Sequence, residues 1–191
     1  MFTKLVTISV CCLALLVTTV ALTGQETETM EMVDIKLAEG AMNMKAPKAW
    51  SKVEPKSSML ELEFSIAAKE ETEDKPGRLT IMRAGGGVEA NIARWKGQFS
   101  QPDGSSTDDH CKVEEIEVSG MPAHIVDIKG TYADRPRMTA PPTMRENYRM
   151  LAAIVESDKG MYFVKFYGPS ATVDANAKYF NEFIKSITMV K

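Results

Sequence analysis

The chain has 191 residues, 44% of them hydrophobic and 26% charged, with a formal net charge of −3. That composition supplies a core for one globular domain without staples, and its mildly acidic balance excludes nucleic acid and anionic membrane as general partners. Of the three cysteines, Cys11 and Cys12 lie in an apolar N-terminal stretch, which leaves Cys111 without an intradomain disulfide partner.

Residues 5–22 carry no charge and follow Lys4. A basic start ahead of an apolar run reads as a targeting segment. The run falls a little short of the roughly 20 residues that span a bilayer as a helix. Thr19-Val20-Ala21 supplies small residues for cleavage, so residues 1–23 read as a signal peptide or as an uncleaved membrane anchor. Lipidation at Cys11 or Cys12 lacks the small residue it needs just upstream, because Ile8-Ser9-Val10 stands there. Losing this segment removes only Lys4 and moves the net charge to −4. The expected destination is export, periplasmic or extracellular. Residues 24–31, rich in Gln, Glu and Thr, read as a flexible acidic lead-in, and 32–191 as a single α/β domain.

Within that domain Val33-Asp34-Ile35-Lys36-Leu37 alternates apolar with polar, and after Glu39-Gly40 residues 42–45 run into Pro47 and Trp50, which suggests a strand that exits through a proline turn, with Trp50 expected on the sheet edge. Residues 60–66 put Leu60, Leu62, Phe64 and Ile66 on a core face and Glu61, Glu63 and Ser65 toward water. A charged turn over 69–77 makes a hairpin with the strand 78–82. Gly85-Gly86-Gly87 then breaks the pattern, and the period becomes helical over 88–99, with Val88, Ile92, Trp95 and Phe99 on one stripe and Asn91, Arg94 and Gln98 on the flanks.

After a polar stretch, residues 112–118 and 123–132 form a second hairpin through Gly120-Met121-Pro122. A long Pro-rich loop over 133–146 follows, carrying Arg135, Arg137 and Arg145, with Arg149 just beyond it. Residues 148–156 and 161–167 are apolar on both faces, as central strands are. A last helix spans about 172–187, with Ser170 or Thr172 as N-cap, Asp174 in the first turn, and Val173, Ala177, Phe180, Ile184 and Ile187 on its stripe. This order predicts an α+β fold: a mostly antiparallel sheet sandwiched by helices in α/β/α layers.

The early strand running into Pro47 and Trp50, the mid-chain helix, and the ending Tyr162-Phe163-Val164-Lys165, Gly168-Pro169 and Phe180-Asn181-Glu182-Phe183-Ile184-Lys185-Ser186 together resemble the PsbP-like group. That superfamily also takes in the Mog-type Ran-binding proteins and bacterial exported relatives. The resemblance implies an α/β/α sandwich and non-enzymatic accessory or binding roles, without naming a substrate.

The motifs that carry chemistry are incomplete. The Gly85-Gly86-Gly87 loop precedes a helix, where anions bind, yet it lacks the Lys-Ser/Thr and the glycine spacing of nucleotide loops. Asp108-Asp109-His110-Cys111 gathers metal-ligand types, but neighbours on a strand diverge, and the twelve-residue span 103–114 has Asp108 where a calcium loop needs Gly. Cys111 with His110 or His124 would need a cross-strand approach to act as a thiolate pair. No catalytic set, cofactor site or metal site is therefore assigned.

Partner or anion binding is expected at Arg135, Arg137, Arg145 and Arg149 and at Asn91, Arg94 and Gln98, because arginine forks and amides suit carboxylates and phosphates. The expected function is an exported, non-enzymatic binding or accessory protein. Its partner is another envelope or secreted protein or a small anionic ligand, and membrane is met only through an uncleaved N-terminal segment. The alternative is a small hydrolase or ligand-binding enzyme whose site forms only in three dimensions.

Overall fold

The computed structural model describes residues 30–68, 75–135 and 140–190. The targeting segment, most of the lead-in, most of the charged turn at 69–77 and Arg137 lie outside the described residues.

Strand β1 (Met32–Leu37) turns back on β2 (Met42–Pro47). A short β3 (Ser51–Val53) pairs with β4 (Leu62–Ile66), and β4 with β5 (Gly77–Ala84), which is the first expected hairpin. Helix α1 (Val88–Lys96) leads into β6 (Phe99–Ser100), β7 (Cys111–Val118), β8 (Met121–Asp134), β9 (Thr143–Ser157) and β10 (Gly160–Pro169). Helix α2 (Ser170–Lys185) and β11 (Thr188–Met189) follow. The large sheet is antiparallel with order β3-β4-β5-β10-β9-β8-β6, and β7 lies beside the first half of β8. A second, three-stranded sheet has the order β1-β2-β11.

The pleat divides the molecule into two cores. Tyr162, Val164 and Phe166 of β10 join a cluster with Leu62, Phe64, Met42, Met44, Phe180, Phe183 and Ile184, so α2 and the small sheet cover one face. Phe163 turns the other way into a cluster with Trp95, Val126, Ile128, Met150 and Ile154 beneath α1. Helices thus lie on both sides of a mostly antiparallel sheet, as the sequence predicts, and β9 and β10 are buried on both faces. At one end β10 and β5 come so close that a Cβ on Gly168 would sit 2.8 Å from the Gly77 Cα.

Several expectations need correction. Glu63 does not face water: it is 2% exposed. Trp50 goes beyond edge packing and is buried among Phe64, Phe166 and Phe183, with its indole Nε1 donating to Asn176 Oδ1 at 3.1 Å. Helix α1 stops at Lys96, so Phe99 reaches the same core from a strand. Asn91 is buried, not on a solvated flank, because positions 88, 91, 92 and 95 are the ones that share a helical face. Helix α2 begins at Ser170 without a side-chain cap, and Asp174 lies past its first turn. The Pro-rich loop is shorter than expected because β8 and β9 keep pairing as far as Asp134 and Thr143. That pairing passes an irregularity between Gly130 and Tyr132, where Asn147 takes a left-handed φ of 53°.

Candidate functional site

The polar groups of the α1 face are assembled by strand alternation. On β10, Phe163 packs edge-on against Trp95 with ring centroids 5.9 Å apart, and Lys165 and Tyr167 follow on the same face. Cross-strand register places Lys165 beside Thr80 and Tyr167 beside Arg78, with Glu63 next to Thr80 on β4.

Glu63 and Arg78 form a two-pronged pair: Arg78 Nε donates to Oε1 at 2.7 Å and Nη2 to Oε2 at 3.0 Å. The Lys56 amide donates to the same carboxylate at 3.1 Å, and Arg78 Nη1 donates to the Tyr167 hydroxyl at 2.6 Å. The hydrogen bonds from Arg78 hold the Glu63 carboxyl below its usual range despite burial, and Glu63 in turn raises the guanidinium pKa. Burial also raises the pKa of the Tyr132 and Tyr167 phenols.

Lys165 is treated differently. Its Nζ donates to Gln98 Oε1 at 3.1 Å and sits 5.9 Å from the Trp95 ring centroid and 5.4 Å from that of Tyr167. Among the described residues no carboxylate reaches it within ion-pair distance. Burial, reinforced by the Arg94 and Arg78 charges, lowers its pKa to about 8.

Above it, Asn91 Nδ2 donates back to the Gly87 carbonyl at 2.9 Å, and Arg94 Nη2 donates to Asn91 Oδ1 at 2.6 Å. The Ala133 amide donates to the Gln98 carbonyl at 2.8 Å, tying the turn after α1 to the end of β8. Arg94 thus meets Asn91 and Gln98 meets Lys165, and the Arg94 charge acts on Lys165.

The arginines of the β8–β9 end do not form one patch. Arg145, opposite Tyr132, pairs with Asp134 at 3.4 Å on the α1 side. Arg149 points to the α2 side, where it holds Asp127 at 2.9 and 2.8 Å and also bonds Asp174. Arg135 is exposed, and Arg137 lies outside the described residues.

The residues considered for catalysis stay apart. Cys111 lies opposite Ile128 and His124 opposite Glu115, so four strand positions, about 13 Å, separate them. His124 Nε2 is 3.0 Å from Glu156 Oε1, His110 Nε2 is 3.1 Å from Ser105 Oγ, and burial pushes the Cys111 thiol up. Asp108 is engaged by Lys96, and no group of three or more metal-ligand side chains forms among the described residues. Two surface clefts lie elsewhere. One of 430 Å³ is bordered by Lys129, Asn147 and Asp174; the other, of 270 Å³, lies between Trp50, Ile66 and Tyr179, and neither is lined by His or Cys.

Lys165, Glu63, Arg78 and Tyr167 were not among the sequence candidates. Lys165 had a signal: it is the one charge in the run Tyr162-Phe163-Val164-Lys165-Phe166-Tyr167 of a doubly buried strand.

With two cores on one antiparallel sheet in view, comparison with solved structures becomes decisive for the fold. Cyanobacterial PsbP from Synechocystis sp. PCC 6803 superposes with a TM-score of 0.51 at 9% identity, covering 86% of this chain and 96% of that one. The Saccharomyces cerevisiae Ran-binding protein Mog1p gives 0.52 at 9% identity, covering 85% and 97%. The fold is PsbP/Mog-like. No family model and no curated protein sequence matches the chain, so the likeness lies in backbone architecture. In this PsbP/Mog-like fold, no helix among the described residues is long and apolar enough to cross a membrane.

Proposed function

We propose that the chain is an exported, non-enzymatic binding or accessory domain that docks its partner on the α1 side of the sheet. The observation that carries this reading is the pairing pattern there: Lys165 and Arg94 have no carboxylate partner among the described residues, whereas the neighbouring Arg78 does. Unpaired cations at a partly covered face favour an anionic counterpart. The β8–β9 end, with Arg135 and Arg145, extends the same docking side. Arg149, held by two aspartates on the other face, contributes through its effect on the β8–β9 pair. Export rests on the uncharged run after Lys4, and a retained segment would be the only membrane contact.

The partner is an envelope or secreted protein, or a small anionic ligand. Mog1p is a Ran-binding protein with this architecture, which supports the reading by analogy. A hydrolase has no comparable support, given the separation of Cys111 from His124. The test uses the full chain and the double variant Arg94→Glu, Arg145→Glu as baits in envelope extract. The wild type is expected to retain a partner that the variant loses, and identical partner sets would refute the docking side.

A further inference from the structure

Cations of the α1 face and its borders mostly have their carboxylates built in. Arg78 has Glu63, Arg145 has Asp134, and Lys96 has Asp108. Lys165 has instead an amide oxygen and two aromatic rings, which solvate an ammonium less well than water and neutralise none of its charge. One of its three N–H donors is used by Gln98, which leaves two; Arg94, with one nitrogen on Asn91, has further donors, and the Gln98 amide nitrogen adds another. These donors come from α1, from the turn that follows it and from β10, and Trp95 on Phe163 holds α1 to β10.

We propose that Lys165, Arg94 and Gln98 form a receptor for a single carboxylate, supplied by an Asp or Glu side chain of the docking partner. This rests on the docking side argued above and names the chemistry that side selects. A monoanion fits better than a phosphate dianion, because one cation here is shielded and unpaired, and the Glu63 carboxylate, two strands away, repels added negative charge. The groups around Lys165 are Arg94 and Trp95 from α1, Gln98 from the turn after α1, Thr80 and Arg78 from β5, and Tyr167 on β10, while Glu63 of β4 and Tyr132 and Asp134 of β8 act on Tyr167. None of the described carboxylates among them is free to serve, since Glu63 and Asp134 hold arginines. Carboxylate binding stabilises the ammonium form of Lys165, so the site binds best below about pH 8 and weakens as pH rises through that value.

The experiment follows the Lys165 Nζ and Cε resonances of the full chain by NMR during a pH titration, assigned by their loss in Lys165→Met. Sodium acetate, sodium phosphate and sodium chloride are compared at matched ionic strength. Acetate is expected to raise the Lys165 midpoint by about half a unit or more over chloride, and Arg94→Met to remove most of that rise while the fold is retained by circular dichroism. An equal midpoint in acetate and chloride overturns the receptor, and a rise with phosphate alone overturns its preference for carboxylate. A bait that loses its partner on Arg94 and Arg145 replacement while Lys165 ignores acetate keeps the docking side and discards this receptor.

Discussion

Lys165 shows how much one residue's position decides. In an unfolded chain its ammonium titrates near 10.4, whereas burial lowers it to about 8 in the fold. Between those values the unfolded chain binds the extra proton, so stability rises with pH through that window and carries the full penalty below pH 8. Lys165→Met keeps the straight apolar stem and removes the charge. It is expected to be more stable than wild type at pH 7 by on the order of 1 to 3 kcal/mol, with the gap narrowing toward pH 10. Urea denaturation of both proteins across that range measures the gap, and taking the difference cancels the buried tyrosines common to both. A constant gap would mean that Lys165 is solvated in the fold. Lys165 was readable as the odd charge in an apolar strand, but its surroundings were not, because Gln98 is 67 positions away.

The elements around it are tied by the Glu63–Arg78 pair, which joins β4 to β5, reaches β10 through the Tyr167 hydroxyl, and anchors the segment after β3 through the Lys56 amide. A near-buried carboxylate stripped of its partner costs more than the pair contributes. Arg78→Met alone is therefore expected to destabilise by about 3 kcal/mol, while Glu63→Leu with Arg78→Met returns most of the loss. Thermal denaturation of the single and double variants checks this, and additive losses would show that the two side chains are not coupled. The alternation in residues 60–66 located β4 correctly but sent Glu63 to water, because a period of two tells which residues share a face and not what covers it. The helical period erred in a related way at Asn91: its polar side chain is buried because it satisfies the Gly87 carbonyl locally.

At the scale of the molecule, the sheet separates two unequal cores. The α2 side buries the small sheet, Trp50 and three phenylalanines of β4 and α2 together with Phe166, whereas α1 is a nine-residue helix held chiefly by Trp95. So short a helix is unstable without its packing. Trp95→Ala should cost about 3 to 5 kcal/mol by cavity formation. Hydrogen exchange should then show α1 amides losing protection while α2 and β10 keep theirs relative to global unfolding. Uniform loss across both helices would make the two cores one cooperative unit. The proposed docking side thus coincides with the less firmly held layer, where a partner adds most.

Element type and order were written in the sequence, since periods of two and 3.6 arise from local backbone geometry: both expected hairpins, both helices and the doubly buried pair β9 and β10 are in place. The strand order was not, because inserting β10 between β5 and β9 brings together residues 89 positions apart, such as Arg78 and Tyr167. That crossover is what buries Glu63, leaves Lys165 uncompensated and sends Arg149 away from Arg94. Pairing of charges depends on distance in space, which periodicity along the chain does not encode.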